Sequence, residues 1–269
     1  MPYSSLKVSP LLPGVSPVKI YYREDGEGAP LIFLHGGWGY EMYPCNRQIK
    51  ALRERYRIII PDRIGYGRST RLVSDVPSDF HFRAAIDVVN FMDSLGIERT
   101  WLWGHSDGAV IAAILGFTAP HRCSGLILEA FHYYRTKLSS REFFETFAYQ
   151  PETLSSELCE RFAREHGADY WRHLITSHAK AWLEIAQESR GPTDDLYHGR
   201  LHEISLPTLL IHGLLDPRTE SGEMDATKKA LPHGQTRMLD DGAHSPHSEG
   251  ATAELVTRIA DEFLAGVNR

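Results

Sequence analysis

The stretch Gly104-His105-Ser106-Asp107-Gly108 limits this chain's fold more than any other. It follows the apolar run 101–103 and precedes the helix-like run 109–116, so a strand must turn into a helix within five residues. A turn that tight has no room for Cβ atoms at its two ends, which accounts for the glycines there. It also lifts the Ser106 side chain out of the sheet.

Short β-rich apolar runs bounded by turn residues recur at 18–22, 31–34, 57–60, 100–103, 125–128, 208–211 and 236–239. Between them lie helix-period stripes, such as Phe82, Ala85, Ile86, Val89 and Met92, or Ala253, Val256, Ala260, Phe263 and Val267. Strands alternating with helices imply right-handed crossovers and a mainly parallel α/β sheet covered on both faces. With 269 residues, 42% of them hydrophobic, one domain can bury a full core.

The rhythm breaks between about 131 and 201, where no convincing strand occurs and Trp171, Leu174, Ile175, His178, Trp182 and Ile185 share one helical face. This predicts a helical cap, 131–201, inserted into an α/β core made of 1–130 and 202–269. The cap is expected over the carboxyl ends of the strands, where open α/β sheets place their binding crevice.

The net charge of −6 gives no basic stripe, so a small molecule is a better partner than nucleic acid or an anionic membrane. Cys45, Cys123 and Cys159 are odd in number and widely spaced, which predicts reduced thiols, not a disulfide frame or a zinc cage. No apolar run reaches the roughly 18 residues of a spanning helix, and residues 1–6 do not resemble a signal peptide. The expectation is a soluble cytoplasmic protein, monomeric or homodimeric.

Ser106 becomes a nucleophile only if a base reaches its hydroxyl and a third group holds that base. Asp216 follows the apolar run 209–211 through a loop, and His244 ends the glycine-containing loop after 236–239, so both fall at the sheet edge that carries Ser106. Glu129, just past 125–128, is an alternative acid, and His247 is a rival base. Of the fourteen histidines most must be structural, and His178 on the cap stripe is expected to be packed or pocket-lining.

Acyl transfer also needs donors for the oxyanion. The loop His35-Gly36-Gly37-Trp38-Gly39 after 31–34 resembles the H-G-G loop of lipases and esterases, with the amides of Gly37 or Trp38 and of Asp107 as donors. It has neither Gly-Lys-Ser/Thr nor G-x-G-x-x-G, so it does not read as a phosphate loop. The turn 61–69 is expected to support it from beneath. No H-E-x-x-H occurs and the histidines do not group with carboxylates at ligand spacing, so no metal is expected.

H-G-G-W-G, D-R-I-G-Y-G-R-S, G-H-S-D-G, a strand-loop-Asp and G-A-H, in this order, resemble the α/β-hydrolase superfamily over nearly the whole chain outside the cap. The resemblance implies a sheet of roughly eight strands and two-step hydrolysis, with Ser106 attacking, His244 as base and no cofactor. Within the superfamily, the S-D-G elbow resembles the valacyclovirase-like (biphenyl hydrolase-like) branch, in which that aspartate contacts a substrate amino group. The implied substrate is an ester, including an amino-acid or other cationic ester, with Asp107, Trp38, Glu129 and Trp182 as binding residues. Asp107 can equally serve only to complement the positive end of its helix. The motifs do not separate esters from amides, lactones or ring-fission C–C bonds, and a non-catalytic receptor on this fold is the remaining alternative.

Overall fold

The computed structural model describes residues 2–267. Its strands are β1 (Tyr3–Leu6), β2 (Val18–Asp25), β3 (Ala29–Leu34), β4 (Tyr56–Pro61), β5 (Thr100–His105), β6 (Cys123–Glu129), β7 (Thr208–Gly213) and β8 (Gln235–Leu239). Its helices are α1 (Asn46–Leu52), α2 (Phe80–Ser94), α3 (Asp107–Thr118), α4 (Arg141–Tyr149), α5 (Ser156–His166), α6 (Trp171–Gln187), α7 (Glu223–Ala230) and α8 (Ala253–Val267).

The strands form one sheet in the order β1-β2-β4-β3-β5-β6-β7-β8. β2 is antiparallel to both its neighbours, and every pair from β4 to β8 is parallel. Strand alternation divides the core in two. Leu31 and Phe33 of β3 face a cluster with Leu52 of α1 and Val256, Ala260 and Phe263 of α8, whereas Ile32 and Leu34 face the cluster containing α2 and α3. The central strands are therefore apolar on both faces and lack a polar alternation.

Two elements depart from expectation. β1 is an additional edge strand, and its alternating exposed and buried residues are too few to stand out in the sequence. On α2 Ala85 and Met92 of the expected stripe are buried and Phe82 and Val89 pack half-buried against the core, but Ile86 is exposed, and Ala84, Val88 and Phe91 complete the buried face.

Between β6 and β7 the described chain forms α4, α5 and α6 and no named strand. The stripe expected on α6 is buried: Trp171, Leu174, Ile175, His178, Trp182 and Ile185 all face inward. Cys45, Cys123 and Cys159 are free, the first two buried. Among the described residues no helix is long and apolar enough to cross a membrane.

Candidate active site

Ser106 stands between β5 and α3 with φ 55° and ψ −119°, a left-handed conformation that a non-glycine residue adopts only under constraint. A methyl group at Gly104 would overlap the Gly108 carbonyl, and one at Gly108 would overlap the Leu34 carbonyl. The serine is thus held at the carboxyl end of the central strand.

Asp216 lies on the loop after β7 and His244 on the loop after β8. His244 Nδ1–H donates to Asp216 Oδ2 at 2.8 Å, and Ser106 Oγ–H lies 3.1 Å from His244 Nε2. The second Asp216 oxygen accepts the Arg218 backbone N–H at 2.9 Å. Burial raises the Asp216 carboxyl, but the facing imidazole and these donors outweigh it and hold it ionised. Burial, helped by the Arg218 charge, lowers His244 to about 4 against the opposing pull of Asp216. At neutral pH the imidazole is therefore an unprotonated base oriented toward the hydroxyl.

The His244 loop is fixed from both sides. The N–H groups of Ala243 and Ser245 donate to the two Glu249 oxygens at 2.8 and 2.7 Å. His105 Nε2–H donates to the His244 carbonyl at 2.9 Å, so the residue before the nucleophile positions the base.

The loop after β3 lies against the nucleophile: a Cβ at Gly36 would sit 3.1 Å from the Ser106 Cβ. Gly37 has no room for a side chain, since its Cβ would lie 2.6 Å from His178 Nε2 and 2.7 Å from Asp107 Oδ2. Arg63 supports this loop as expected of the 61–69 turn, donating its backbone N–H to His35 Nε2 at 3.0 Å and its guanidinium to the Gly36 carbonyl at 2.9 Å. Asp107 opens α3, so its amide belongs to the first turn, whose N–H groups lack intrahelical acceptors.

Ser106 and His244 line a small cavity of about 20 Å³ with Gly37, Trp38, Asp107, His132, Phe143, Phe144, His178, Trp182 and Arg218. Phe144 and Trp182, stacked at 5.5 Å, also line a second space of about 390 Å³ beside α4 and α6. These two rings separate room for a water-sized group at the serine from room for a ligand.

The alpha/beta hydrolase fold family model matches residues 29–182, more than half of the chain, from β3 through the oxyanion-type loop and elbow into α6. The chain belongs to the α/β hydrolase fold family. This α/β hydrolase is 26% identical over 253 residues to the serine hydrolase BPHL of Mus musculus, covering 93% of this chain and 84% of that protein. It is 32% identical over 310 residues to a probable proline iminopeptidase of Leptolyngbya boryana, covering 96% of each. Among solved structures, a thermophilic esterase from Thermogutta terrifontis superposes with a TM-score of 0.74 at 22% identity, covering 100% of both chains.

Of the residues singled out from the sequence, Ser106, Asp216 and His244 come together in series, and Gly37, Trp38, Asp107 and Trp182 line the same cavity. Glu129 does not. It is fully buried beneath the site, where Oε1 accepts the backbone N–H and Nδ1–H of His247, each at 2.8 Å, and Oε2 accepts Trp103 Nε1–H at 2.9 Å. Its strand-end position points into the sheet core and not into the cavity, so Glu129 is neither the triad acid nor a binding residue for substrate. His247, held by this carboxylate, is not the base.

The two oxygens of Asp107, which lines the same cavity, have different surroundings. Its side chain is buried, with His178 Nε2 at 2.6 Å, His81 Nε2 at 3.1 Å, Trp182 Nε1 at 3.1 Å and the Arg63 guanidinium at 3.7 Å. The His178 contact is close but makes no hydrogen bond, leaving Asp107 Oδ2 without a hydrogen-bond partner, whereas Oδ1 accepts Trp182 Nε1–H and lies at hydrogen-bond distance from His81 Nε2. Burial alone would raise this carboxyl, but His178 and His81 outweigh it and hold it well below the ordinary range. The Arg63 guanidinium at 3.7 Å is the arginine charge that faces this carboxylate.

His132, which sequence reasoning missed, lies three residues past β6, with Nε2 3.4 Å from Ser106 Oγ and its ring parallel to His244 at 5.6 Å. Burial, with Lys137 nearby, keeps it unprotonated. Its placement after the end of a central strand was the available signal, obscured because the cap was expected to begin at 131. Phe143, Phe144 and Arg218 were missed for want of any motif around them.

Proposed function

We propose that this α/β hydrolase cleaves a small-molecule carboxylic ester through an acyl-enzyme on Ser106. The observation that carries this reading is the continuous chain from Asp216 through His244 to Ser106 Oγ. His244 Nε2 takes the hydroxyl proton as Oγ bonds to the ester carbonyl carbon, and the amides of Asp107 and of Gly37 or Trp38 receive the developing oxyanion. The tetrahedral adduct then expels the alcohol, which leaves with the proton returned by His244. Water, deprotonated by the same imidazole, adds to the acyl-enzyme and releases the acid. Residues 131–201 act as the cap that shapes the acyl and alcohol sites, with Trp38 and Trp182 as walls.

Peptidase action, as in the name of the Leptolyngbya boryana relative, a probable proline iminopeptidase, is the less favoured reading. It calls for a carboxylate that receives an ammonium, and one oxygen of Asp107 is already taken by His81 and Trp182, with the Arg63 guanidinium 3.7 Å from the other.

A fluorophosphonate probe tests the proposal. Labelling of the wild type, lost in Ser106→Ala, together with a burst of p-nitrophenol from p-nitrophenyl esters, is the expected result. A wild type that neither labels nor turns over any ester would refute it.

A further inference from the structure

Resting on the hydrolytic reading above, we infer that the site selects esters carrying a second, free carboxylate, and that Arg218 is the residue that receives it. Among the described residues Asp107 is the one acidic residue lining the cavity at Ser106, and it has the Arg63 guanidinium at 3.7 Å and His81 and Trp182 on one of its oxygens. Among the described residues Arg218 is the one arginine lining that cavity.

Arg218 lies two residues past the triad acid and is anchored there, since its N–H donates to Asp216 Oδ1 at 2.9 Å and its carbonyl accepts Lys137 Nζ at 3.2 Å. Its guanidinium is stacked over the Phe143 ring at 4.3 Å. A guanidinium covered on its face keeps its in-plane N–H donors for a ligand, in the fork geometry that fits a carboxylate. The acids closest to it in the chain are committed elsewhere: Asp216 to His244, Glu220 to Ser139, and Glu223 to Lys137. Among the described residues no carboxylate lies within ion-pair distance of it, although most other buried or half-buried cations of this chain have one. Its charge also lowers the pKa of His244, which places it within electrostatic reach of the reacting atoms.

A half-buried cation stacked on an aromatic wall, with no carboxylate of the protein at ion-pair distance, attracts an anion and disfavours an ammonium. The fitting substrates are half-esters of dicarboxylic acids or esters of similar carboxylate-bearing acids.

The test compares kcat/KM for the p-nitrophenyl monoester of glutaric acid, its neutral methyl diester and p-nitrophenyl 4-aminobutyrate, each divided by the ester's own hydroxide rate. The wild type is expected to prefer the anionic ester over the neutral one by about tenfold or more, a preference that added salt weakens. Arg218→Lys should keep part of that ratio, Arg218→Gln bring it to about one, and Arg218→Glu invert it toward the amino ester, with circular dichroism confirming the fold of each. A wild type that favours the neutral or amino ester, or a ratio unmoved in Arg218→Gln, overturns the inference while leaving the Ser106 chemistry standing. Loss of turnover on all three esters, with no fluorophosphonate labelling, instead refutes the hydrolytic reading on which the inference rests.

Discussion

His178, in the middle of α6, meets Asp107, the first residue of α3, with 2.6 Å between Nε2 and Oδ2. The Tyr66 hydroxyl lies 3.1 Å from the other ring nitrogen, and Trp182, one turn along α6, donates to the second Asp107 oxygen. The helical insertion is therefore tied to the residue next to the nucleophile. Replacing Asp107 by Asn leaves His178, His81 and Arg63 facing an amide in a buried site, and breaking such a network by removing one partner costs about 3–5 kcal/mol. Asp107→Asn is expected to lower the urea midpoint and to reduce kcat/KM for amino-acid and neutral esters alike. A loss confined to amino-acid esters would restore the ammonium-receptor reading.

Because burial holds His244 near 4, the acid limb of kcat/KM should be centred there and not near the ordinary imidazole value of about 6.5. Below that pH the imidazolium cannot take the Ser106 proton, so activity falls with acid and is flat toward neutrality. The profile for a neutral ester between pH 3.5 and 8 measures this. In Arg218→Gln, with the neighbouring cation gone, the limb should move upward.

Stability has its own pH dependence. His105 is lowered by burial to about 3 and His166 likewise to about 4. In the unfolded chain each takes a proton near 6.5, so between that value and the folded one the unfolded state binds more protons and stability falls as pH drops. Each contributes about 1.4 kcal/mol per pH unit within its window. In the His247–Glu129 pair burial opposes both charges but their attraction prevails: the raised His247 works in the opposite sense, gaining stability as pH falls toward its unfolded value, whereas Glu129, held at about 2, loses its contribution only as pH falls below the ordinary carboxyl value of 4.5. Urea midpoints at pH 7, 6 and 5 should decline steadily, and His105→Asn should flatten the decline.

His132 Nε2 lies 3.4 Å from Ser106 Oγ, a long neutral hydrogen bond compared with the one to His244. A contact of this kind contributes about 0.5–1.5 kcal/mol, so His132→Ala should lower kcat by up to about tenfold. His244→Ala should cost several orders of magnitude more. Comparable losses in the two variants would mean that the imidazole roles are assigned wrongly.

Phe144 and Trp182 divide the cavity of about 20 Å³ at the serine from the space of about 390 Å³ beyond. Phe144→Ala removes one leaf of that wall and should raise kcat/KM for long-chain acyl esters relative to acetate. Its thermal midpoint should fall, because deleting a buried phenyl ring costs about 3–5 kcal/mol. Unchanged chain-length selectivity would show that the acyl chain takes another route.

The parts legible in the sequence were those in which one short segment obeys one steric rule. The elbow glycines announce a turn that tolerates no Cβ, and Asp216 and His244 are found because parallel strands bring all their following loops to one edge. The wall of the site is built from α4 and α6 and from the loop after β6, whose spacing relative to the sheet no local pattern encodes. Glu129 illustrates the limit: strand-end position put it at the correct edge, but whether the last side chain of a strand points up or down depends on register, and here it points at Trp103 and His247. Asp107 illustrates another, since a carboxylate beside a nucleophile looks available until histidines 26 and 71 positions away along the chain are folded against it.

The α6 contacts to Asp107 also determine which pieces of this enzyme can be exchanged. α4 and α5 carry no hydrogen bond to the elbow among the described residues, and α5 holds the loop after β3 through its end, where Glu165 accepts the Glu41 N–H and His166 bonds the Trp38 carbonyl, so a chimera that replaces 141–164 with foreign helices should alter selectivity and keep turnover. Transplanting 171–187 would strip His178 and Trp182 from their anchor and leave an uncovered charge one residue from the serine. In recombination terms, α6 is inherited with the sheet, and the crossover point lies before Trp171.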